Sequence, residues 1–251
     1  MNEAMEAEFD TVAGWTADVA GELGPDFYLP AACRGSGSPS ALQWLMDHLK
    51  LSRTDRMLDC GAGLGGPAAF ALRQTGSEMV LTDPEALACR SAVRLFDLPA
   101  VQAGSQLPFA AHSFDVAWSL GVLCTVADQS VLLAELRRVL TDDGRLGLLV
   151  FVRTVASVSN QPEGNNFPSP AGLASLLAGA GFFIEATVPV TELGATPQDW
   201  TERADQVEAT LAQRHSGDPQ WERANRQSEL IGDLLKSGEV LGTLVIARPR
   251  P

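Results

Sequence analysis

The sequence contains few of the residues that mark metal, redox or membrane proteins. It has 4 cysteines, 3 histidines and 1 tyrosine among 251 residues. No pair of Cys33, Cys60, Cys89 and Cys124 has the C-x-x-C spacing, so we predict neither a redox dithiol nor a metal site. We expect reduced thiols in a cytoplasmic protein. No apolar run approaches the ~20 residues that span a bilayer, and we expect no secretory signal.

Basic residues are also scarce. Lys and Arg number 18 against 31 Asp and Glu, which gives a net charge of -13. Such a surface repels phosphate backbones and anionic lipids, so we expect neither a nucleic-acid nor a membrane partner. Glycine and proline, at 23 and 15, are too few for a low-complexity chain. The sequence therefore predicts one folded domain over residues 1–251.

Short apolar runs alternate with helical patterns along most of the chain. The runs lie at 56–60, 78–82, 114–119, 146–152, 182–188 and 240–246. Unbroken apolar runs are typical of strands that are covered on both faces of a parallel sheet. Helices are predicted at 39–50, 130–140, 170–180, 197–214 and 219–236, four of them from a capping residue before proline. Glu135, Arg137 and Arg138 are expected to face solvent, and residues 141–144 to form a stop. The pattern indicates an α/β doubly wound sheet.

A glycine-rich loop follows the first predicted strand, from Asp59 to Pro67. Eighteen residues after Gly65 comes Asp83, where a carboxylate can accept hydrogen bonds from both hydroxyls of a ribose. The glycines also fit the G-x-G-x-x-G spacing of dinucleotide sites, so a nicotinamide-dependent oxidoreductase is an alternative. Asp59 disfavours it, because a carboxylate repels a pyrophosphate but suits an ammonium or a sulfonium.

The loop Asp-Cys-Gly-Ala-Gly-Leu-Gly at 59–65 resembles motif I of the class I S-adenosylmethionine-dependent methyltransferases. Leu-Pro-Phe at 107–109, followed by Ser-Phe-Asp at 113–115, is similar to the small-molecule branch of that family, methyltransferase type 11. Glu-Leu-Arg-Arg-Val-Leu at 135–140 resembles the helix that precedes the fifth strand. The resemblance covers roughly residues 50 to 185.

The resemblance implies a Rossmann-like sheet of seven strands with S-adenosyl-L-methionine across the carboxyl ends of strands 1, 2 and 4. The residues that it implies for the cofactor are Asp59, Gly61, Ala62, Gly63 and Leu64 along the methionine part, Asp83 and Pro84 at the ribose and adenine, Gly104 and Ser105 at the adenine edge, and Ser119 and Leu120 beside the sulfonium. Tyr28 and Arg34 are candidates for contacts to the cofactor carboxylate or to a lid.

The resemblance also implies methyl transfer to an O, N or C nucleophile of a small molecule, by in-line displacement in a lidded cleft. The family pattern is broken at two places. Ala103 stands where many relatives carry Asp or Asn, and Leu-Cys-Thr at 123–125 where many carry His. No catalytic base is therefore assigned. A protein that binds the cofactor without transferring methyl, as a pericyclic catalyst, scaffold or regulator, is an alternative.

The predicted organisation has four parts. A helical N-terminal cap at 1–50 precedes the cofactor-binding core at 51–190, and a helical insertion at 191–238 precedes the last strand and tail at 239–251. In the insertion, Trp200, Ala204, Val207 and Leu211 form one apolar stripe, which predicts a lid over the crevice. No oligomeric state is predicted.

Overall fold

A seven-stranded sheet runs through the centre of the protein. The structure is a computed structural model that describes residues 7–250, so residues 1–6 and 251 of the predicted domain lie outside it. The strands are β1 (Arg56–Cys60), β2 (Glu78–Asp83), β3 (Ala100–Gln102), β4 (Phe114–Leu120), β5 (Leu140–Arg153), β6 (Phe182–Pro189) and β7 (Val240–Pro249). Their order is β3-β2-β1-β4-β5-β7-β6, with β7 antiparallel to both neighbours.

Helices cover both faces of this sheet. They are α1 (Ala13–Leu23), α2 (Tyr28–Ala32), α3 (Pro39–Leu49), α4 (Gly66–Thr75), α5 (Ala86–Phe96), α6 (Gln129–Val139), α7 (Pro170–Gly179), α8 (Gln198–His215) and α9 (Pro219–Ser237). A π-helical turn, Ala7–Val12, leads into α1. The predicted α/β, Rossmann-like sheet of seven strands is confirmed. Within residues 7–250, no helix has the length and apolar content needed to cross a bilayer.

Local capping chemistry sets three of the predicted helix starts. Ser38, Ser169 and Asp218 each accept a hydrogen bond from a first-turn amide, and a proline follows each cap. Proline suits this position because its missing N–H has no partner inside the helix anyway. The expected cap at Thr196 is wrong, since α8 begins at Gln198 with Pro197 as its N-cap residue.

Two segments differ from the sequence prediction. Residues 141–144, expected as a stop, belong to β5, because the buried Leu140 is already extended and pairs with Phe114. The short edge strand β3 was not predicted. Two of its three residues, Val101 and Gln102, are exposed, so it has no apolar run to indicate a strand.

The sheet has one hydrophobic layer on each face. On one face pack residues of α3 and α4, including Leu42, Leu45, Leu49, Ala68 and Ala71. On the other face pack residues of α6 and α7, including Leu132, Leu133, Leu136, Leu173 and Leu177. The chain passes from β1 to β2 on one side, whereas β4 lies on the other side of β1. Such a switch point opens a crevice at the carboxyl ends of β1 and β4.

Candidate functional site

The glycine loop between β1 and α4 turns back onto β2. The amides of Gly61 and Ala62 both donate to the Thr82 carbonyl oxygen, at 2.8 and 3.0 Å. The side chains of Ala62 and Leu64 are buried, so these residues offer only backbone to a ligand. Gly63 has a φ of +53° and open space where a Cβ would lie. The loop therefore presents accessible main chain to the crevice at Gly63.

Asp83, at the end of β2, joins this loop to the start of α5. Its Oδ2 accepts the Gly63 amide at 2.8 Å and its Oδ1 accepts the Glu85 amide at 3.0 Å. Burial raises the pKa of Asp83, which the two amides oppose and the carboxylate of Asp10 reinforces. Asp10 itself accepts the Leu87 amide at 3.2 Å, so it ties the N-terminal turn to α5. The sequence analysis missed this role of Asp10.

The loop after β3 lies beside the end of β2. Gln102 donates from Nε2 to the Pro84 carbonyl oxygen at 2.9 Å. The Ala103 amide donates to the Asp83 carbonyl oxygen, also at 2.9 Å. Gly104 is exposed, with open space at its Cβ position. The structure thus brings four of the predicted site residues together: Asp83, Pro84, Gly104 and Ser105.

Two residues of α6 hold the far end of that loop. Glu135 accepts the Leu107 amide at 2.8 Å, and Arg138 donates to the carbonyl oxygens of Leu107 and Phe109 at 2.9 and 2.7 Å. A hydrogen bond from Arg138 lowers the pKa of Glu135. The expectation that both side chains face solvent is therefore wrong. Helical periodicity gave the correct side of α6, but it does not show that a loop covers this side.

At the end of β4, Ser119 is fully buried. Its Oγ donates to the Cys60 carbonyl oxygen at 2.8 Å and so ties β4 to β1. Leu120, the next residue, is also buried. Both predicted residues lie at the carboxyl edge of the sheet, but the Ser119 hydroxyl is engaged in the protein.

Asp59 lies in β1 directly before the glycine loop and is 1% exposed. Neither its Oδ2 nor Nε1 of Trp118 has a hydrogen-bond partner of good geometry. Burial raises the pKa of Asp59 to about 7. The nearby indole N–H of Trp118 and the amide of Ala68 favour the ionised form, whereas the charge of Asp83 disfavours it. Burial has the largest effect, because no cation compensates for the lost hydration.

A segment that we call the strap, residues 33–38, crosses the glycine loop and the end of β4. A Cβ on Gly66 would lie 2.8 Å from the amide nitrogen of Cys33, and one on Gly121 would lie 2.9 Å from the carbonyl oxygen of Gly35. Real Cβ atoms do not come this close to a backbone, so the strap can lie here only above glycine.

Arg34 connects the strap to helices α8 and α9, which we call the late helices. Its Nη2 donates to Oγ of Ser228 in α9 at 3.2 Å, and its Nε lies 3.5 Å from Oε2 of Glu208 in α8. Tyr28 packs edge-on against Phe96 of α5, with ring centroids 6.1 Å apart. The guanidinium of Arg34 thus contacts both late helices, and its candidate roles at the cofactor carboxylate or in a lid stay predictions.

The late helices pack on the N-terminal helices. The cluster between them contains Val12, Val19, Ala20, Ala31, Val207, Leu211, Trp221 and Ala224. Trp200 instead lies edge-on to Phe70 of α4, with ring centroids 6.3 Å apart. The apolar stripe of α8 thus contacts two different surfaces, the N-terminal helices and α4. His215, one residue beyond the predicted helix 197–214, ends α8 and stacks on Trp15 with ring centroids 3.7 Å apart.

The inner face of α9 continues beyond this cluster toward the ends of β4 and β5. Near its C-terminal end, Leu234 packs with Cys124, Phe167 and Val240. Between the two clusters lies Gln227, which is 9% exposed and whose Oε1 has no hydrogen-bond partner. The sequence analysis missed Gln227, although a polar residue within a buried helical stripe could have drawn attention to it.

Substitution of Asp59 by Asn is expected to stabilise the protein increasingly as the pH rises. The folded-state pKa of about 7 lies above the ordinary 3.8, so the wild-type free energy of unfolding falls between these pH values. From pH 5 to pH 8 the variant should gain about 3 kcal/mol relative to wild type. Urea denaturation at both pH values measures this. Asp97→Asn, at an exposed position, is the control, and identical pH dependence of all three proteins would contradict the prediction.

The core of the chain matches a known protein family. Residues 58–148 match the model of the methyltransferase domain family. Over 115 residues the chain is 30% identical to methyltransferase GfsG of Streptomyces halstedii, which spans 41% of this chain and 40% of that relative. The chain thus matches less than half the length of this curated relative.

Solved structures share the fold over most of the chain. The structure of the 4+2 cyclase SpnF matches with a TM-score of 0.69 at 18% identity, over 94% of this chain and 97% of that chain. Geranyl diphosphate C-methyltransferase of Streptomyces coelicolor A3(2) matches with a TM-score of 0.62 at 18% identity, over 83% and 76%. The family match, the seven-stranded sheet and the glycine loop agree: residues 58–148 form a methyltransferase domain of the class I, S-adenosyl-L-methionine-dependent type.

Proposed function

We propose that the protein transfers the methyl group of S-adenosyl-L-methionine to a small-molecule acceptor. The observation that carries the proposal is the hydrogen bond between the Gly63 amide and Asp83. This hydrogen bond holds the Asp83 carboxyl group next to the accessible main chain of the glycine loop. A carboxylate at this position can accept hydrogen bonds from ribose hydroxyls. Pro84 and the 104–105 loop then flank the adenine, and the main chain at 61–64 follows the methionine part.

The charge of the site fits this cofactor. Asp59, Asp83 and Asp10 lie at or behind the loop, and the charges of Asp59 and Asp10 each raise the pKa of a neighbouring group. A site with three acids favours a ligand with an ammonium and a sulfonium. It disfavours the pyrophosphate of a nicotinamide dinucleotide, which is the oxidoreductase alternative.

The chain contributes orientation and exclusion of water. When bound, the cofactor supplies an electrophilic methyl group. The helices of 7–50 and 191–238 pack on each other through the cluster around Trp221 and through the ion pair of Arg214 with Glu22 at 2.6 Å. We propose that they form one lid over the crevice. A closed lid holds nucleophile and methyl in line in a dry site, which is the main requirement of this reaction.

The acceptor needs a nucleophile that reacts without a histidine or tyrosine base. His48 stacks on Trp44 of the outer part of α3, and His112 is exposed in the loop before β4, at the opposite edge of the sheet. His215 stacks on Trp15, and Tyr28 packs on Phe96. An unprotonated amine or an acidic O–H or C–H group meets this requirement at neutral pH.

The side chains between the lid and the end of β4 favour a largely apolar acceptor. Cys124, Phe167, Leu234 and Val240 pack there into one buried apolar cluster. Gln227, one helical turn beyond Ala224, supplies a neutral amide whose buried Oε1 is free to accept a hydrogen bond. An acceptor with a permanent charge would lose hydration beside this cluster without gaining an ion pair.

A pericyclic or other non-methylating function is the second candidate. The placement of all three histidines outside the crevice favours it, because a reaction without proton transfer needs no histidine base. In the first candidate function the methyl group moves to the acceptor, and in the second it stays on the cofactor.

Calorimetric titration and a label assay test the proposal. We expect S-adenosylmethionine to bind and NADH not to bind. Incubation with methyl-tritiated cofactor and a panel of neutral amines, phenols and β-dicarbonyl compounds should move label into an acceptor. Binding without label transfer to any acceptor would favour the non-methylating candidate, and preferential binding of NADH would overturn both.

Gly63→Val should abolish cofactor binding while the protein stays folded. The valine side chain would occupy the open space over the loop that the methionine part needs. Gly217→Val is a matched control, since Gly217 also has positive φ, at +86°, and open space at Cβ. Both variants place a β-branched residue at a positive φ, which is strained for such side chains. Circular dichroism and calorimetry should show two folded proteins, of which only Gly217→Val binds; wild-type affinity of Gly63→Val would remove the loop from the site.

Asp83→Ala should weaken cofactor binding by at least tenfold. The variant loses charge-assisted hydrogen bonds to the ribose, each of which contributes about 1.5–3 kcal/mol. It also releases the Gly63 amide. Adenosine, which retains the ribose but lacks the methionine part, should lose affinity by a similar factor. Affinities within twofold of wild type for both ligands would exclude Asp83 from the ribose site.

Trp221→Ala should speed the dissociation of tritiated S-adenosylmethionine about tenfold or more, because it loosens the cluster that joins α9 to the N-terminal helices. Trp200→Ala is the matched control: it removes the same side chain from the insertion, but at the contact with Phe70. We expect this control to lower the melting temperature and keep the wild-type dissociation rate. Equal rates of S-adenosylmethionine dissociation from both variants would show that the helices only cover the sheet and do not act as a lid.

A further inference from the structure

The carboxyl group of Asp59 is surrounded by groups that carry no positive charge. The groups that face it are Asp83 of β2, Trp118 of β4, the Ala68 amide of α4 and Cys33 after α2, with Cys60 as its neighbour in β1. Among the described residues that are buried, the polar and charged ones include no lysine or arginine. Asp59 therefore has no buried counter-ion in the described part of the chain.

A buried carboxylate without a counter-ion binds a proton more tightly than an exposed one does. The geometry supports this for Asp59, since Oδ2 has no hydrogen-bond partner of good geometry. Burial raises the pKa of the Cys33 and Cys60 thiols, the latter to about 12, so both stay neutral. The charge of Asp83 opposes ionisation of Asp59 further. A cation in the crevice would reverse this balance.

This inference rests on the proposed function. We propose that Asp59 is protonated in the ligand-free protein, that it releases this proton to solvent when cationic S-adenosylmethionine binds, and that it takes a proton back after methyl transfer. Asp59 thus acts as a sensor of the charge on the cofactor.

The charges balance at each step. The cofactor carries an ammonium, a carboxylate and a sulfonium, so its net charge is about +1, and ionised Asp59 compensates it. In methyl transfer a lone pair of the acceptor forms a bond to the methyl carbon, and the bond between this carbon and sulfur breaks. The electron pair of the broken bond stays on sulfur, which becomes a neutral thioether, and the acceptor's proton goes to solvent. The product S-adenosylhomocysteine then has no net charge, and Asp59 regains a proton from water.

Calorimetry in buffers of different ionisation enthalpy measures the proton release. At pH 7, titration of the wild-type protein in phosphate, HEPES and Tris should show about half a proton released on binding S-adenosylmethionine. Sinefungin, which carries an amine in place of the sulfonium, should release a similar amount. S-adenosylhomocysteine should release less than half as much. Equal release by S-adenosylhomocysteine and S-adenosylmethionine would overturn the inference.

Two variants test whether Asp59 is the residue that releases the proton. Asp59→Asn should bind S-adenosylmethionine without proton release, whereas the exposed control Asp97→Asn should release as much as wild type. Infrared difference spectra of the wild-type protein should lose the C=O band of a protonated carboxyl on binding, and they decide the question if Asp59→Asn fails to fold. Release retained in Asp59→Asn, or an unchanged band, would overturn the inference. Absence of any S-adenosylmethionine binding would overturn the proposed function itself.

Discussion

The hydrogen bond from the Gly63 amide to Asp83 joins the two halves of the candidate site. It couples the loop after β1 to the end of β2, and the second oxygen of Asp83 caps the start of α5 through the Glu85 amide. The main-chain direction at Gly63, the position of the acid and the orientation of α5 therefore depend on one carboxyl group. Because a ligand here would contact all three, small displacements of Asp83 would affect binding at more than one point.

The second organising feature is the packing of the N-terminal helices on the late insertion. The strap lies on glycine at two places, and Arg34 connects it to α8 and α9. Helix α9 then extends from the cluster around Trp221 to Leu234 beside Cys124. Segments at opposite ends of the chain are thus mechanically linked, so closure at the cofactor and closure at the acceptor would occur together.

Local signals predicted the fold well, and tertiary relations were what the sequence could not show. The helix starts at Ser38, Ser169 and Asp218 were predictable because a cap and a proline act within one turn. The glycine loop and Asp83 were found for the same reason, since strand, turn and acid are close in sequence. The clamp of Glu135 and Arg138 was missed because its partner is about 30 residues away. The protonation of Asp59 depends on which charges are absent around it, and a pattern along the chain does not report this.

The insertion begins and ends in strands that pair with each other. Pro189, at the end of β6, is opposite Thr243, near the start of β7. The 190–239 segment therefore leaves the sheet at β6 and returns at the neighbouring strand β7. Its length and surface can change in evolution without a change of strand order. Since the glycine loop and Asp83 lie on other strands, a new acceptor preference could arise by replacement of this single segment while the cofactor site is inherited intact.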